Sequence, residues 1–294
     1  MTLSRDIRTQ IICSLGKEMI IFKENPLFSY FCDDLRAEGI VVRDGKVIPI
    51  GNTEVDGNFQ EDYNSKEACC LSPFYNFRKC DKCTSEIGDI FSFPTNEEIE
   101  LIKEKKKGLE KIVLDEISGM SDTDTEVIVS NRLRDRLCSS GISLFYDPIV
   151  AFDRNIGNIW NRRSESTPGQ AAYVEVSANA QGMSVIFSET ILFTNRNEYV
   201  ERYESLLNGI EKIKSLFIEG NETSILSNEM ERFRRKNLYL TIPLFPFNHV
   251  PIPGENRRIR TRDTSVFDLW VMEGDVKIRK KVIAVAGYSS SMVF

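Results

Sequence analysis

The sequence predicts an α+β protein built in two parts. Residues 1–92 are predicted to form a helical N-terminal module with a β-hairpin and a cysteine-rich insert, and residues 93–294 a mixed-sheet α/β domain. Near the N-terminus apolar residues recur every three or four positions, as they do in helices. Asp44-Gly45 separates two β-branched runs, which is a strong hairpin signal. Beyond residue 93, amphipathic stretches are interspersed with β-rich runs.

Helical spacing predicts the first elements of the N-terminal module. Residues 4–36 carry that spacing, a second helix is predicted to begin at Pro26, and Gly39 is a typical stop signal. Helix, helix and hairpin, in this order, is also the outline of a winged helix, which is one alternative for this module. The polar stretch from Gly51 to Ser72 is predicted to be a loop.

The rest of the chain divides into well-marked segments. A charged helix is predicted to begin at Thr95 or Asn96, with acidic residues in its first turn. "EVIVS" is then predicted as a short strand and "NRLRDRLCSS" as a short helix. Three β-rich runs follow, the last two joined at Gln181-Gly182, and then a long amphipathic helix that ends at Gly220. One more helix and three strands complete the chain, with Gly274-Asp275 between the last two strands.

Composition excludes several classes of function. The net charge of -6 does not favour a general attraction to phosphate backbones or anionic lipids. The only histidine, His249, lies among prolines in a segment predicted to be a loop, and mechanisms that need two or three histidines are excluded. Charged residues interrupt every apolar run near the N-terminus, so we expect neither a secretory signal nor a membrane span. A cytoplasmic location is therefore expected.

Four cysteines between residues 67 and 83 suggest a metal site. Cys80 and Cys83 have the spacing of a metal knuckle, and Cys69 or Cys70 would supply the third ligand. The other member of that pair, or Cys32, would be the fourth. Such an all-cysteine site favours structural zinc, with an iron–sulfur cluster as the second choice. The alternatives are buried or surface thiols, or a redox-active pair.

Acidic residues in the β-rich runs suggest a second hypothesis. Asp147, Asp153 and Glu175 lie on or beside successive predicted strands. The order of helix, three strands, long helix and strand resembles the core of the PD-(D/E)xK nucleases over residues 131–245. That resemblance implies magnesium held by carboxylates, but no lysine lies between Lys111 and Lys212 to complete the motif. The alternative is that these carboxylates lie on the solvent face of alternating strands.

Clustered arginines complete the list of candidate sites. Four of them lie in a loop flanked by proline and glycine: Arg257, Arg258, Arg260 and Arg262. Guanidinium groups bind phosphate and carboxylate in a bidentate manner, so this loop is predicted to contact nucleic acid or an acidic protein surface. The sequence therefore predicts a cytoplasmic binding protein or assembly subunit with such a partner. A divalent-metal-dependent nuclease that lacks the motif lysine is the alternative, and a structural subunit without a ligand is the third hypothesis.

Overall fold

The computed structural model describes residues 5–6, 8–10, 19–22, 28–32, 37, 39–50, 69–71, 93–158, 164–234, 237–242 and 256–294. They divide into two compact units. The first contains the described residues up to Glu100 and the turn Ala180–Met183, and the second contains the remainder. The predicted boundary between the N-terminal module and the α/β domain, between residues 92 and 93, stays a prediction. Within the described ranges, no helix combines the length and the apolar character needed to cross a membrane.

The first unit contains a four-stranded sheet in the order β3-β2-β1-β4. Its elements are β1 (Met19–Phe22), α1 (Phe28–Phe31), β2 (Gly39–Arg43), β3 (Lys46–Ile50) and β4 (Cys69–Leu71). Strand β1 runs antiparallel to β2 and parallel to β4.

The sheet confirms one sequence prediction and corrects another. Asp44 and Gly45 have φ angles of 50° and 72°, as a two-residue hairpin turn between β2 and β3 requires, so that hairpin is confirmed. Strand β1 lies inside residues 4–36, where helical spacing was predicted, and that prediction is wrong for Met19–Phe22. A short apolar run fits either structure, and here pairing with two neighbouring strands decides it. The parallel β1–β4 pair does not fit the winged-helix alternative.

The helices that follow are α2 (Asn96–Ser118), α3 (Glu126–Ser139), α4 (Asn197–Leu216) and α5 (Thr223–Arg234). A capping box begins α2, because the Glu98 amide donates to Thr95 Oγ1 (3.2 Å) and the Thr95 amide donates to Glu98 Oε2 (2.6 Å). This confirms the predicted start of the helix. "EVIVS" belongs to α3 and is not a strand, since Val129 and Leu133 lie buried at helical spacing.

Two further sheets lie in the second half of the chain. One has the order β5-β6-β7, the other β11-β10-β9-β8. Their strands are β5 (Ser143–Phe152), β6 (Ala171–Ala180), β7 (Met183–Leu192), β8 (Asn237–Ile242), β9 (Thr264–Glu273), β10 (Val276–Val285) and β11 (Met292–Val293). The predicted β-rich runs and their order are confirmed. The fold is a mixed α/β fold with helices and antiparallel sheets, as predicted, and the cysteine-rich insert lies mostly outside the described residues.

Hydroxyl groups of β7 join the two sheets along β10. Thr190 Oγ1 donates to the carbonyl of Arg279 (2.6 Å) and accepts from its amide (2.9 Å). Ser188 Oγ accepts from the Lys281 amide (2.5 Å). These side chains satisfy backbone groups of β10 that its short pairing with β11 leaves open. They also fix the position of β10 relative to β6 and β7.

Candidate functional site

Four charged side chains meet in the interior of the second unit, and we name them the charge cluster: Glu175, Asp268, Arg279 and Lys281. Glu175 comes from β6, Asp268 from β9, and the two cations from β10. Alternate residues of a strand face the same side, so Arg279 and Lys281 point the same way. The antiparallel register places Lys281 directly opposite Asp268.

Burial distinguishes the charge cluster from an ordinary surface ion pair. Glu175 is 0% exposed, Asp268 2% and Arg279 5%. The side chain of Lys281 is 10% exposed. Charges taken this far from water are tolerated only when they are paired and hydrogen-bonded.

The guanidinium of Arg279 binds Asp268 through two hydrogen bonds. Nε lies 2.9 Å from Oδ1, and the second nitrogen, NH2, lies 2.7 Å from Oδ2. This bidentate geometry is the strongest form of an arginine–carboxylate contact. Lys281 Nζ lies 4.0 Å from the same Oδ2, so both cations face Asp268.

Glu175 is held by the same two cations and by two phenols. Lys281 Nζ donates to Oε1 at 2.7 Å, and Arg279 NH2 lies 3.8 Å from Oε2. The hydroxyl of Tyr173 donates to Oε2 at 2.5 Å, and the hydroxyl of Tyr146 donates to Oε1. Both oxygens of this carboxylate therefore already have partners within the protein.

Aromatic rings enclose the Arg279 guanidinium. Its central carbon lies 4.0 Å from the ring centroid of Trp270 and 4.7 Å from that of Tyr173. Cation–π contacts of this kind strengthen when water is excluded. Trp270 is 1% exposed and lies directly opposite Arg279 in the β9–β10 pair. The guanidinium is thus held both by its carboxylate and by stacking.

The electrostatics favour the ionised forms of Glu175 and Arg279, whose pKa values shift in opposite directions. Burial by itself would raise the pKa of Glu175, but the charges of Lys281 and Arg279 outweigh burial and lower that pKa below its ordinary 4.5. Burial would lower the pKa of Arg279, yet Tyr173 and Asp268 raise it above the ordinary value. Burial raises the pKa of Asp268, an effect that the bidentate contact with Arg279 opposes.

The predicted catalytic carboxylates do not come together as a site. Asp147 is exposed on β5. Asp153 begins a short 3-10 helix, and its Oδ1 accepts the amides of Gln170 (2.7 Å) and Ala171 (3.1 Å), which is a structural role. The alternative hypothesis placed Glu175 on the solvent face of an alternating strand. That expectation is wrong, because Glu175 is buried against the sheet that contains β10.

The other predicted site residues are spread over the chain. Cys69 and Cys70 belong to β4, while Cys80 and Cys83 lie outside the described residues, as does His249. In the arginine loop, Arg257 contacts Asp263 at 3.0 Å and Arg260 contacts the same carboxylate at 3.9 Å. Part of this positive charge is therefore neutralised within the protein. Arg258 and Arg262 also lie in the described ranges, Arg258 in a backbone bridge with Glu222.

Sequence reasoning missed the two cations of the charge cluster. Their signal was present, since Arg279, Lys280 and Lys281 form a basic triplet inside a run predicted to be a strand. A strand with apolar residues on both sides of such a triplet is typically internal. Charged side chains in such a strand need buried partners, and this requirement is the signal that the sequence carries.

Comparison with known proteins shows a shared fold at low sequence identity. The sequence matches no protein-family model and no curated protein sequence. Its structure is similar to the X-Pro aminopeptidase from Thermotoga maritima MSB8, with a TM-score of 0.71, 13% identity and 94% of each chain covered.

Other solved structures have a similar fold at equally low sequence identity. The prolidase from Pyrococcus horikoshii OT3 has a TM-score of 0.67 and 13% identity, over 99% of this chain and 97% of that one. An Xaa-Pro dipeptidase from Bacillus anthracis has a TM-score of 0.67 and 11% identity, over 100% of this chain and 97% of that one. The chain therefore has a fold similar to the pita-bread fold of the X-Pro peptidases.

This likeness corrects the function predicted from the sequence. A binding protein or assembly subunit for nucleic acid or a protein partner is not supported, and neither is a nuclease. The nuclease resemblance rested on the order of elements over part of the chain, whereas the peptidase likeness extends over nearly all of it. The carboxylate expected to bind magnesium, Glu175, instead binds Lys281 and two tyrosines.

The fold family implies a metal cofactor, and the described residues do not fit one. Among them, no group of three histidine, cysteine, aspartate or glutamate side chains could hold an ion. Glu175 and Asp268 share the same two cations, and these positive side chains already contact their oxygens. No catalytic step through a metal ion follows from this part of the chain.

Proposed function

We propose that this chain acts on peptides, with a function of the X-Pro peptidase type, and that its substrate class is short peptides with proline at the second position. The observation that carries the proposal is the similarity of fold along nearly the whole of both chains. The structures that resemble it are described as an X-Pro aminopeptidase, a prolidase and an Xaa-Pro dipeptidase. The likeness extends over nearly the whole of both chains, and it supports the proposal as an analogy of fold.

The proposal concerns the substrate class and includes no metal-assisted mechanism. Hydrolysis by a metal-bound water needs open coordination positions and ligands free to hold the ion. The charge cluster offers neither, since Lys281 and Arg279 bind its carboxylates. Peptide recognition, in contrast, requires only a cleft with donors and acceptors for the peptide backbone.

The test is a direct comparison of matched peptides. The purified chain is titrated calorimetrically with Ala-Pro-Ala and with Ala-Ala-Ala, and the same mixtures are analysed by mass spectrometry for a released amino-terminal alanine. We expect saturable binding of the proline peptide at least tenfold tighter than the control, because proline restricts the peptide backbone and lowers the entropy lost on binding. Equal affinities, or no binding and no cleavage of either peptide, would show that the substrate class is wrong.

Two finer sequence predictions belong to this proposal. Structural zinc bound by Cys80 and Cys83, with Cys69 and Cys70 as further ligands, is supported by the knuckle spacing. A cytoplasmic location is supported by the same cysteines, since clustered thiols persist in a reducing compartment. Zinc there would be structural and remote in sequence from the charge cluster.

A further inference from the structure

We propose that Arg279 and Lys281 take the electrostatic place of a divalent metal ion between Glu175 and Asp268, so that the charge cluster is an internally neutralised centre that binds no metal. This inference is independent of the peptide proposal, because it concerns what holds two buried carboxylates together. The fold family implies a metal cofactor, whereas in this chain two cationic side chains lie between the carboxylates.

Each cation contacts both carboxylates. Lys281 Nζ is 2.7 Å from Glu175 and 4.0 Å from Asp268. The terminal nitrogen of Arg279 is 2.7 Å from Asp268 and 3.8 Å from Glu175. A divalent ion shared by two carboxylates would lie about 2.0–2.6 Å from an oxygen of each. In this chain the space between these oxygens is occupied by the two nitrogens.

The charges balance without an ion. Two carboxylates and two cations sum to zero at neutral pH, so the buried group carries no net charge. Adding a divalent ion would leave two uncompensated positive charges in the interior. An isolated buried charge is among the most costly features that a folded protein can contain. Binding would therefore require one or both cations to leave.

The cations are not free to leave. Arg279 stays protonated at any ordinary pH, and the rings of Trp270 and Tyr173 hold its guanidinium in place. Lys281 could reach solvent only by breaking its hydrogen bond to Glu175, which would keep two phenolic donors and only the more distant Arg279, at 3.8 Å, as a positive partner. The same two tyrosines take one acceptor position on each oxygen of Glu175, and a metal ion would compete with them for this carboxylate.

A charge cluster that binds no metal cannot make activity depend on a metal ion. Removal of divalent metal should leave the fold of the second unit unchanged, and any action on Xaa-Pro peptides should not depend on a metal at the charge cluster. The peptide titration and the metal titration therefore report on different properties. Loss of peptide binding would count against the proposed function, and metal binding at Glu175 would count against this inference.

The experiment uses Mn²⁺ as the probe, since this ion prefers oxygen ligands to the cysteine thiolates. The full chain is freed of metal with EDTA, desalted, and titrated with Mn²⁺ while free Mn²⁺ is followed by electron paramagnetic resonance. We expect the wild type and Glu175→Gln to bind equally few ions, with a midpoint of unfolding that Mn²⁺ shifts by less than about 1 °C. One ion bound by the wild type and lost in Glu175→Gln would overturn the inference.

A gain-of-binding variant tests the role of the cations themselves. In Arg279→Met/Lys281→Met the two carboxylates face each other without positive partners. We expect this variant to bind Mn²⁺ at least tenfold tighter than the wild type, and to lose that gain when Glu175→Gln is added. A folded double variant with wild-type Mn²⁺ affinity would show that the cations do not exclude the metal. If the double variant does not fold, the comparison of the wild type with Glu175→Gln still decides.

Discussion

Replacing Arg279 with methionine should destabilise the second unit far more than breaking an exposed ion pair of the same length. Arg279→Met keeps much of the side-chain volume but leaves the Asp268 carboxylate, which is 2% exposed, without its bidentate partner. Breaking a buried pair in this way costs about 3–5 kcal/mol. For a domain of this size each kcal/mol lowers the unfolding midpoint by roughly 2–4 °C, so we expect a decrease of roughly 6–20 °C.

The matched control is Arg202→Met. Arg202 contacts Glu273 at 2.7 Å, the distance between Arg279 and Asp268, but the two side chains are 30% and 62% exposed. Exposed pairs contribute about 0–1 kcal/mol. Both variants are unfolded by heat and by urea and followed by far-ultraviolet circular dichroism, with tryptophan fluorescence as a second probe because Trp270 stacks on Arg279.

A paired substitution separates lost charge compensation from lost packing. Asp268→Leu/Arg279→Met removes both members of the pair, and such replacements are often neutral or stabilising. We therefore expect the double variant to recover most of the stability lost in Arg279→Met. If Arg279→Met and Arg202→Met unfold within about 1 kcal/mol of each other, the charge cluster is not the compensated buried site that we describe.

Three further predictions concern pH, a helix cap and zinc. The folded pKa of Glu175 is lowered, so its stabilising contribution is fully present above the ordinary pKa of 4.5 and is lost as the pH falls through the lower folded value. The groups that face Glu175 are Lys281, Arg279, Asp268 and the two tyrosine hydroxyls. In urea titrations from pH 7 to 3, the free energy of unfolding of Glu175→Gln should therefore fall less steeply than that of the wild type. Thr95→Ala removes an N-cap oxygen and should lower the free energy of unfolding, measured with urea, by about 1 kcal/mol. Thr95→Ser should remain near the wild type. An alanine variant of unchanged stability would contradict the capping box. Plasma mass spectrometry should find zinc in the wild-type chain and none in Cys80→Ser/Cys83→Ser, whereas equal zinc in both would exclude the knuckle.

Local signals in the sequence were sufficient wherever one segment decides its own structure. Asp44-Gly45 specified a hairpin because few residues tolerate the positive φ angles of its turn. Thr95 and Glu98 specified the start of α2 because both partners of the capping box lie within one turn. Strong β propensity likewise identified β9 and β10 and the turn between them.

Short apolar runs were decided by their neighbours. "EVIVS" has the composition of a strand, yet it continues into α3 because Val129 and Leu133 are buried together on one helical face. The run Met19–Phe22 could have been helical, but β2 and β4 provide hydrogen-bond partners on both sides. Intrinsic propensity is a weak preference, and tertiary contacts overrode it in both segments.

The charge cluster was determined by tertiary structure alone. Glu175 and Lys281 are 106 residues apart in the chain, and they meet because β7 joins β10 through the hydroxyls of Ser188 and Thr190. Glu175, Arg279 and Lys281 all lie in runs that the sequence predicted to be strands, and alternation along β10 puts the two cations on one face. Only the packing of the two sheets decided that these faces meet, because the order of strands in a sheet depends on contacts between distant segments.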